Sequence, residues 1–345
     1  MRAASRREPR VSRARTPDIT DLFAEYAAPS APGASVVVAR GGTIVLARAF
    51  GLADVENHVP LTTTTAFRLA SVTKQFTAAA VLALVEGGRL GLDDPLRRVL
   101  PDVPPYAAAV RVRHLLTHTS GVPDYESLLV TADGPQLTDL DVLAVLHRAE
   151  GLYFRPGTEW RYSNSAYALL ALIVERGAGE SFAHYLRHRI FDRAGMPTAV
   201  AFVNGVDRIA NRAYGHSLAG GAWRRTDQSR TSAVLGDGGV YASAEELAVW
   251  SAALDRGAVL DAATFSSATT PAVLESGART QYGFGWFLDT YRGVERQRHE
   301  GDSIGFRTSI QRYPDQGLTV VVLLNRTEAA IEALSDNVAD LFLNE

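Results

Sequence analysis

The sequence predicts an α+β fold. It has one antiparallel sheet built from strands at both ends of the chain, flanked by terminal helices, with a mostly helical region inserted between them. Three observations predict it. Residues 34–39 and 43–49 are runs rich in β-branched residues, separated by Gly41-Gly42, a hairpin signature. Residues 308–313 and 318–325 repeat the pattern around the turn Pro314-Asp315-Gln316-Gly317. Between these hairpins, over about 66–280, helical spacing dominates.

Taken in chain order, Ile19, Leu22, Phe23 and Tyr26 recur at helical spacing and predict a first amphipathic helix. After the first hairpin, residues 75–86 are apolar and Ala-rich and stop at Gly87-Gly88, a helix C-terminus. Residues 140–148 and 165–176 also read as helices. Ser243-Ala244-Glu245-Glu246 is a capping box opening another, to about residue 256. A final helix carries Ile331, Leu334, Val338, Leu341 and Phe342 on one face. The expected organisation is a disordered basic tail over 1–16 and one domain over 17–345. Its α/β part covers about 17–65 and 281–345, and its helical insert about 66–280.

Composition narrows the function classes. Of 345 residues, 46% are hydrophobic and 21% charged, which suits a globular chain and excludes a fibrous one. There is no cysteine, so a thiol nucleophile, a disulfide framework and a Cys-ligated metal site are excluded. Lys+Arg total 35, and Lys74 is the one lysine. Six arginines fall within residues 1–15, leaving an acidic body that argues against a nucleic-acid groove. The tail lacks the apolar stretch of a secretory signal, and no run of about 18 apolar residues exists. The chain as written therefore predicts a cytoplasmic location without a membrane span, with export left open if the start is misassigned.

Three short motifs carry chemistry. Ser71-Val72-Thr73-Lys74 stands at a helix start, where residues three apart share a face. A serine hydroxyl needs a neighbouring base to become a nucleophile, and a lysine serves when its surroundings disfavour the ammonium form. The same residues would also serve as a helix cap with an exposed lysine. Tyr162-Ser163-Asn164 puts a tyrosine and an asparagine two apart, so both can face one pocket. A tyrosine beside a lysine is a candidate general base, and the amide a candidate positioner. A buried tyrosine and a helix-capping asparagine are the alternative. His299-Glu300-Gly301 precedes the last hairpin. The glycine is expected to let a substrate backbone approach, and the N–H of Asp302 to pair with that of Ser71 as an oxyanion hole. A structural histidine at a strand edge is the alternative.

These motifs, in this order, resemble the serine β-lactamase and penicillin-binding-protein superfamily, in its class C-like branch of β-lactamases, D-amino-acid peptidases and esterases. The likeness runs from about residue 18 through Phe67-Arg68-Leu69-Ala70-Ser71-Val72-Thr73-Lys74 and His114-Leu115-Leu116-Thr117-His118-Thr119-Ser120-Gly121. It continues through Pro156-Gly157-Thr158, Tyr162-Ser163-Asn164, Gly236-Asp237-Gly238-Gly239, Tyr282-Gly283-Phe284-Gly285-Trp286 and His299-Glu300-Gly301. The resemblance implies Ser71 as acylated nucleophile, Lys74 and Tyr162 as the proton-transfer pair, and Asn164 as a polar positioner. It places His299 and Gly301 on the strand lining the site.

It also implies a small-molecule ester, D-amino-acid peptide or β-lactam as substrate, with no cofactor. A sensor domain that acylates without turnover is the other reading, and the oligomeric state is left open. One departure matters. Many members have Lys-Thr-Gly where this chain has His299-Glu300-Gly301, and that lysine helps hold a substrate carboxylate. Ester or D-amino-acid amide hydrolysis is therefore expected over efficient β-lactam hydrolysis, with Arg298 or Arg307 as substitute cations.

Other patterns are set aside. Gly301-Asp302-Ser303-Ile304-Gly305 matches a nucleophile elbow, but that fold needs a histidine after the serine and His299 is the last. Ser335-Asp336-Asn337 lies after every other motif. His114 with His118, and His184 with His188, have metal-ligand spacing but lack H-E-x-x-H, so no metal site is expected.

Overall fold

The computed structural model describes residues 18–343, and the basic tail predicted over 1–16 lies outside them. α1 (Ile19–Leu22) is capped by Asp18, which accepts the N–H groups of Thr20 and Asp21. The predicted helix over 19–26 breaks there into a 3-10 turn, Ala24–Tyr26. Its inward face survives, because Phe23 and Tyr26 are both buried.

Next come β1 (Ala34–Arg40), β2 (Thr43–Phe50), β3 (Phe67–Arg68) and α2 (Lys74–Glu86). The insert continues with α3 (Asp139–Leu146), α4 (Asn164–Ala178), α5 (Phe182–Tyr185), β4 (Val200–Ala201), β5 (Val240–Ala242) and α6 (Ala244–Asp255). β6 (Phe287–Tyr291), β7 (Val294–Ser303), β8 (Phe306–Tyr313), β9 (Leu318–Leu324) and α7 (Ile331–Leu343) complete the chain.

Strands from both termini share one six-stranded antiparallel sheet in the order β6-β7-β8-β9-β1-β2. β1 and β9 lie at its centre, with Val36 opposite Val322 and Val38 opposite Val320. Side chains alternate between faces along a strand. Val36, Val38, Val320 and Val322 pack with Phe23, Ile331, Leu334 and Val338 of the terminal helices. Val37, Val321 and Leu323 pack on the other face with the helical region. Each such fully buried side chain contributes about 1.5–3 kcal/mol over its exposed state.

The insert is mostly helical, as expected, but also holds a small sheet, β3-β5-β4, and a hairpin of His216–Ala219 with Ala222–Arg225. β6 and β7 were not legible from hydropathy, because β7 is polar: Val294-Glu295-Arg296-Gln297-Arg298-His299-Glu300-Gly301-Asp302-Ser303. Ion pairs replace apolar contacts there. Arg296 binds Asp289 and Asp336, and Arg298 binds Asp289, Glu300 and Glu332. Among the described residues no helix is long and apolar enough to cross a membrane.

Candidate active site

Residues Lys74 through Leu84 of α2 are all buried, so this helix is packed on every side. That rules out the exposed-lysine alternative: Lys74 is 0% exposed. A buried amine must find hydrogen-bond partners. Lys74 Nζ lies 3.0 Å from Ser71 Oγ, 2.9 Å from Asn164 Oδ1 and 2.9 Å from the Asp237 carbonyl oxygen.

The Ser71 turn is held from several directions. A 3-10 turn, Ala70–Thr73, runs directly into α2. Ala70 has φ of +48°, in the left-handed region that L side chains disfavour, a form of strain that collects at functional sites. The Leu69 N–H donates to the Val240 carbonyl of β5, and Thr308 Oγ1 of β8 donates to the Leu69 carbonyl at 2.7 Å. Gly301 of β7 packs directly against this turn. A Cβ there would stand 2.2 Å from the Leu69 oxygen, 2.3 Å from Thr308 Oγ1 and 3.1 Å from Ala70 Cβ. Gly301, expected to admit a substrate backbone, lines the larger cavity and also makes room for the Ser71 turn.

Tyr162 and Asn164 both face Lys74, but differently. Asn164 opens α4, its N–H donating to Asp124 Oδ2 at 2.7 Å. The Tyr162 ring lies with its centroid 4.9 Å from Lys74 Nζ. It stacks on Phe287 and packs 4.3 Å from the His118 ring. Its hydroxyl is buried without a hydrogen-bond partner. Lys74 therefore meets the ring face of Tyr162, not its oxygen, and the hydroxyl remains available to another group.

His299 is fully buried on β7. Its Nδ1 lies 2.7 Å from the Glu300 carbonyl, which can only accept, so Nδ1 carries the proton. Nε2 then accepts from the Tyr282 hydroxyl at 3.0 Å. Burial, reinforced by Lys74, brings its pKa down to about 3. Where related proteins have a lysine, this site holds an uncharged imidazole with both nitrogens used. Of the two substitute cations, Arg298 is bound by three carboxylates. Arg307 lines the cleft and pairs with Asp302 at 2.6 Å.

Ser71 stands where two cavities meet, and Asp302 and Arg307 also line both. The larger, about 910 Å³, has an apolar wall of Trp160, Tyr162, Phe287 and Ile331. The smaller, about 340 Å³, is polar, with Arg68, Tyr125, Glu126, Asn164 and Asp237. A serine with one lobe on each side is an arrangement that could hold the two halves of a substrate.

Several residues here had no role assigned from sequence. Asp237 lies in the quoted Gly236-Asp237-Gly238-Gly239 run, and its carbonyl completes the Lys74 shell. Burial raises its carboxyl pKa to about 7, and the Tyr125 hydroxyl donates to it at 3.0 Å. Asp139, pushed up to about 8 by burial, accepts the N–H groups of Leu235 and Gly236 and so supports the same loop. His118 is buried among Tyr162, Tyr167 and Tyr282, with Nδ1 accepting the Ser163 N–H. Burial, then Lys74, drive its pKa well below the ordinary histidine value. Of the motifs set aside, Asp336 is held by Arg296 and Gln311.

Comparison with known proteins identifies the family. A family model described as Beta-lactamase matches residues 19–344. Penicillin-binding protein 4* of Bacillus subtilis (strain 168) is 34% identical over 312 residues, covering 85% of this chain and 68% of the relative. A D-aminopeptidase of Gluconobacter oxydans (strain 621H) is 28% identical over 87% of this chain, and the chain spans 57% of its length. The crystal structure of D-amino acid amidase from Ochrobactrum anthropi SV3 complexed with L-phenylalanine amide superposes with a TM-score of 0.81 at 26% identity, covering 94% of this chain and 97% of that one. The chain therefore belongs to the Beta-lactamase family.

Proposed function

We propose that the chain is a serine hydrolase that cleaves an ester or amide through a covalent acyl-enzyme. The observation that carries this reading is the Lys74 amine 3.0 Å from Ser71 Oγ, with its other two contacts both neutral oxygens. Ser71 Oγ attacks the substrate carbonyl carbon, and its proton passes to Lys74. The N–H groups of Ser71 and Asp302 stabilise the resulting oxyanion. As the bond to the leaving group breaks, Tyr162 delivers a proton to the departing oxygen or nitrogen. Water then attacks the acyl carbon and gives its proton to the Tyr162 oxygen, the bond to Ser71 Oγ breaks as that oxygen recovers its proton from Lys74, and the acid is released. Asn164 holds the amine in register.

Substrate preference follows from charge. With His299 neutral, the arginines that line the cleft are Arg307, paired with Asp302, and Arg68 in the smaller lobe, which donates to the Ser232 carbonyl. Esters and D-amino-acid amides are favoured over carboxylate-bearing β-lactams. D-aminopeptidase and D-amino acid amidase relatives support the amide half of this range.

The test is intact-mass spectrometry after a fluorophosphonate, together with turnover of p-nitrophenyl esters, D-Ala-p-nitroanilide and nitrocefin. One adduct on the wild type, none on Ser71→Ala, and ester or anilide turnover above nitrocefin are expected. An equal adduct on Ser71→Ala refutes the nucleophile. A stoichiometric burst with no further turnover favours a sensor, and nitrocefin turnover well above the others reverses the substrate ranking.

A further inference from the structure

Away from the cleft, α4 ends at Gly179, where φ of +77° turns the chain. Glu180 lies in that corner, and the Ser181 hydroxyl caps α5 by accepting the His184 N–H. Beyond α5 the helix widens, and Leu186–Phe191 is π-helical. π-turns are rare and concentrate at functional sites. Here the widened turn holds the last residue of a Glu-x-x-x-His-x-x-x-His run, Glu180, His184 and His188, and the three side chains converge. Both Glu180 oxygens lie close to His188 Nε2, at 3.0 and 2.9 Å, and Oε2 also meets His184 Nδ1. One donor atom from each residue lies within 4.8 Å of the other two.

We propose that Glu180, His184 and His188 form a binding site for a divalent transition-metal ion of the zinc class, separate from the Ser71 cleft. Two imidazole nitrogens and one carboxylate oxygen form a three-ligand zinc donor set with a fourth position open to water. Calcium and magnesium select oxygen-only sets and are disfavoured by the two imidazoles. With metal–ligand bonds of about 2.0–2.1 Å, tetrahedral donors stand about 3.3 Å apart. The carboxylate and the His188 nitrogen are already near that spacing, and all three side chains reach solvent and can adjust.

None of the three lines either cavity at Ser71. The ion ties the corner residue Glu180 to α5 and the widened turn beyond it and is not a participant in hydrolysis. The corner has its own tie, the Phe182 N–H donating to Glu175 Oε1 at 2.9 Å, so variants of the cluster keep their fold. His184 and His188 lack H-E-x-x-H, but Glu180 stands four residues before the first histidine.

The test uses the full chain, freed of any affinity tag and of metal by chelator dialysis, titrated with zinc chloride by calorimetry and by thermal melting. Saturable binding of one equivalent and a rise in melting temperature are expected. His184→Ala, His188→Ala and Glu180→Gln should each weaken binding by about 10-fold or more, with ester turnover unchanged. His147→Ala, at an exposed histidine elsewhere, should bind as the wild type does. The proposal is overturned if the wild type binds no zinc saturably, or if binding is unchanged in the His184→Ala/His188→Ala double variant. The second result would leave the cluster as a carboxylate–imidazole ion pair only.

Discussion

Gly301→Ala separates two roles for one glycine. The added methyl would stand 2.2 Å from the Leu69 carbonyl oxygen, whereas ordinary contacts begin near 3.4 Å. Thr308 Oγ1 can rotate away, but only by giving up its 2.7 Å hydrogen bond to that same carbonyl. The Leu69 backbone must therefore shift by about 1 Å, and Ser71 follows two residues on. A displacement of that size at a nucleophile costs about 100-fold in turnover. Overpacking of this kind destabilises by about 1–3 kcal/mol.

The assay is p-nitrophenyl ester turnover beside the rate of fluorophosphonate labelling, with urea denaturation for stability. If Gly301 positions the Ser71 turn, labelling by the small probe falls together with turnover. If the glycine only admitted a substrate backbone, labelling would be spared and KM alone would rise. Wild-type labelling with an unchanged urea midpoint would refute the positioning reading.

Three further outcomes follow from the same geometry. Tyr162→Phe removes a buried hydroxyl that has no partner, so the melting temperature should hold or rise while kcat falls by about 100-fold or more. An equal loss of both would contradict it. Asp237, raised to about 7 in the fold against 3.8 when unfolded, favours the native state while protonated. Its contribution is full below about pH 4 and is lost as pH rises to about 7, a window worth on the order of 1–4 kcal/mol. Asp237→Asn should lessen the pH slope of the urea midpoints across that range, leaving the part that Asp139 contributes, and an unchanged slope would refute the assignment. His299→Lys restores the common family residue but places a second ammonium near Lys74 and discards the Tyr282 bond. It should destabilise by about 3 kcal/mol or more without raising nitrocefin turnover, and a stable variant with gained turnover would overturn that view.

Which parts were legible in the sequence depends on what each residue is for. Gly41-Gly42, the Pro314–Gln316 turn and the valine runs of β1 and β9 announce themselves because backbone conformation and apolar burial leave local signatures. The Ser243 capping box opens α6 as its spacing predicts. β7 does not announce itself, since Arg296 and Arg298 are satisfied by Asp289 of β6 and by Asp336 and Glu332 of α7, besides Glu300 of β7 itself. In the site, Ser71, Lys74 and Asn164 converge as their spacing suggests. The Asp237 contribution is a backbone carbonyl, which any residue could supply, so no side-chain motif encodes it. Gly301 was noticed for the correct property, closeness, but the partner is 232 positions earlier at Leu69 and only the fold brings it near.

The imbalance between arginine and lysine acquires a physical reading from these contacts. The arginines around the sheet end on carboxylates: Arg296 on Asp289 and Asp336, Arg307 on Asp302, Arg312 on Asp255. A guanidinium is suited to that work because it stays charged and forks onto acids. The same permanence would disable it beside Ser71, where the proposed role is to accept a proton as a neutral base and return it. Lys74 instead meets a hydroxyl, an amide oxygen and a backbone carbonyl, none of them an anion. These neutral acceptors orient the Lys74 nitrogen toward Ser71 without an ion pair. Lys74→Arg therefore conserves charge and removes the function that the position requires.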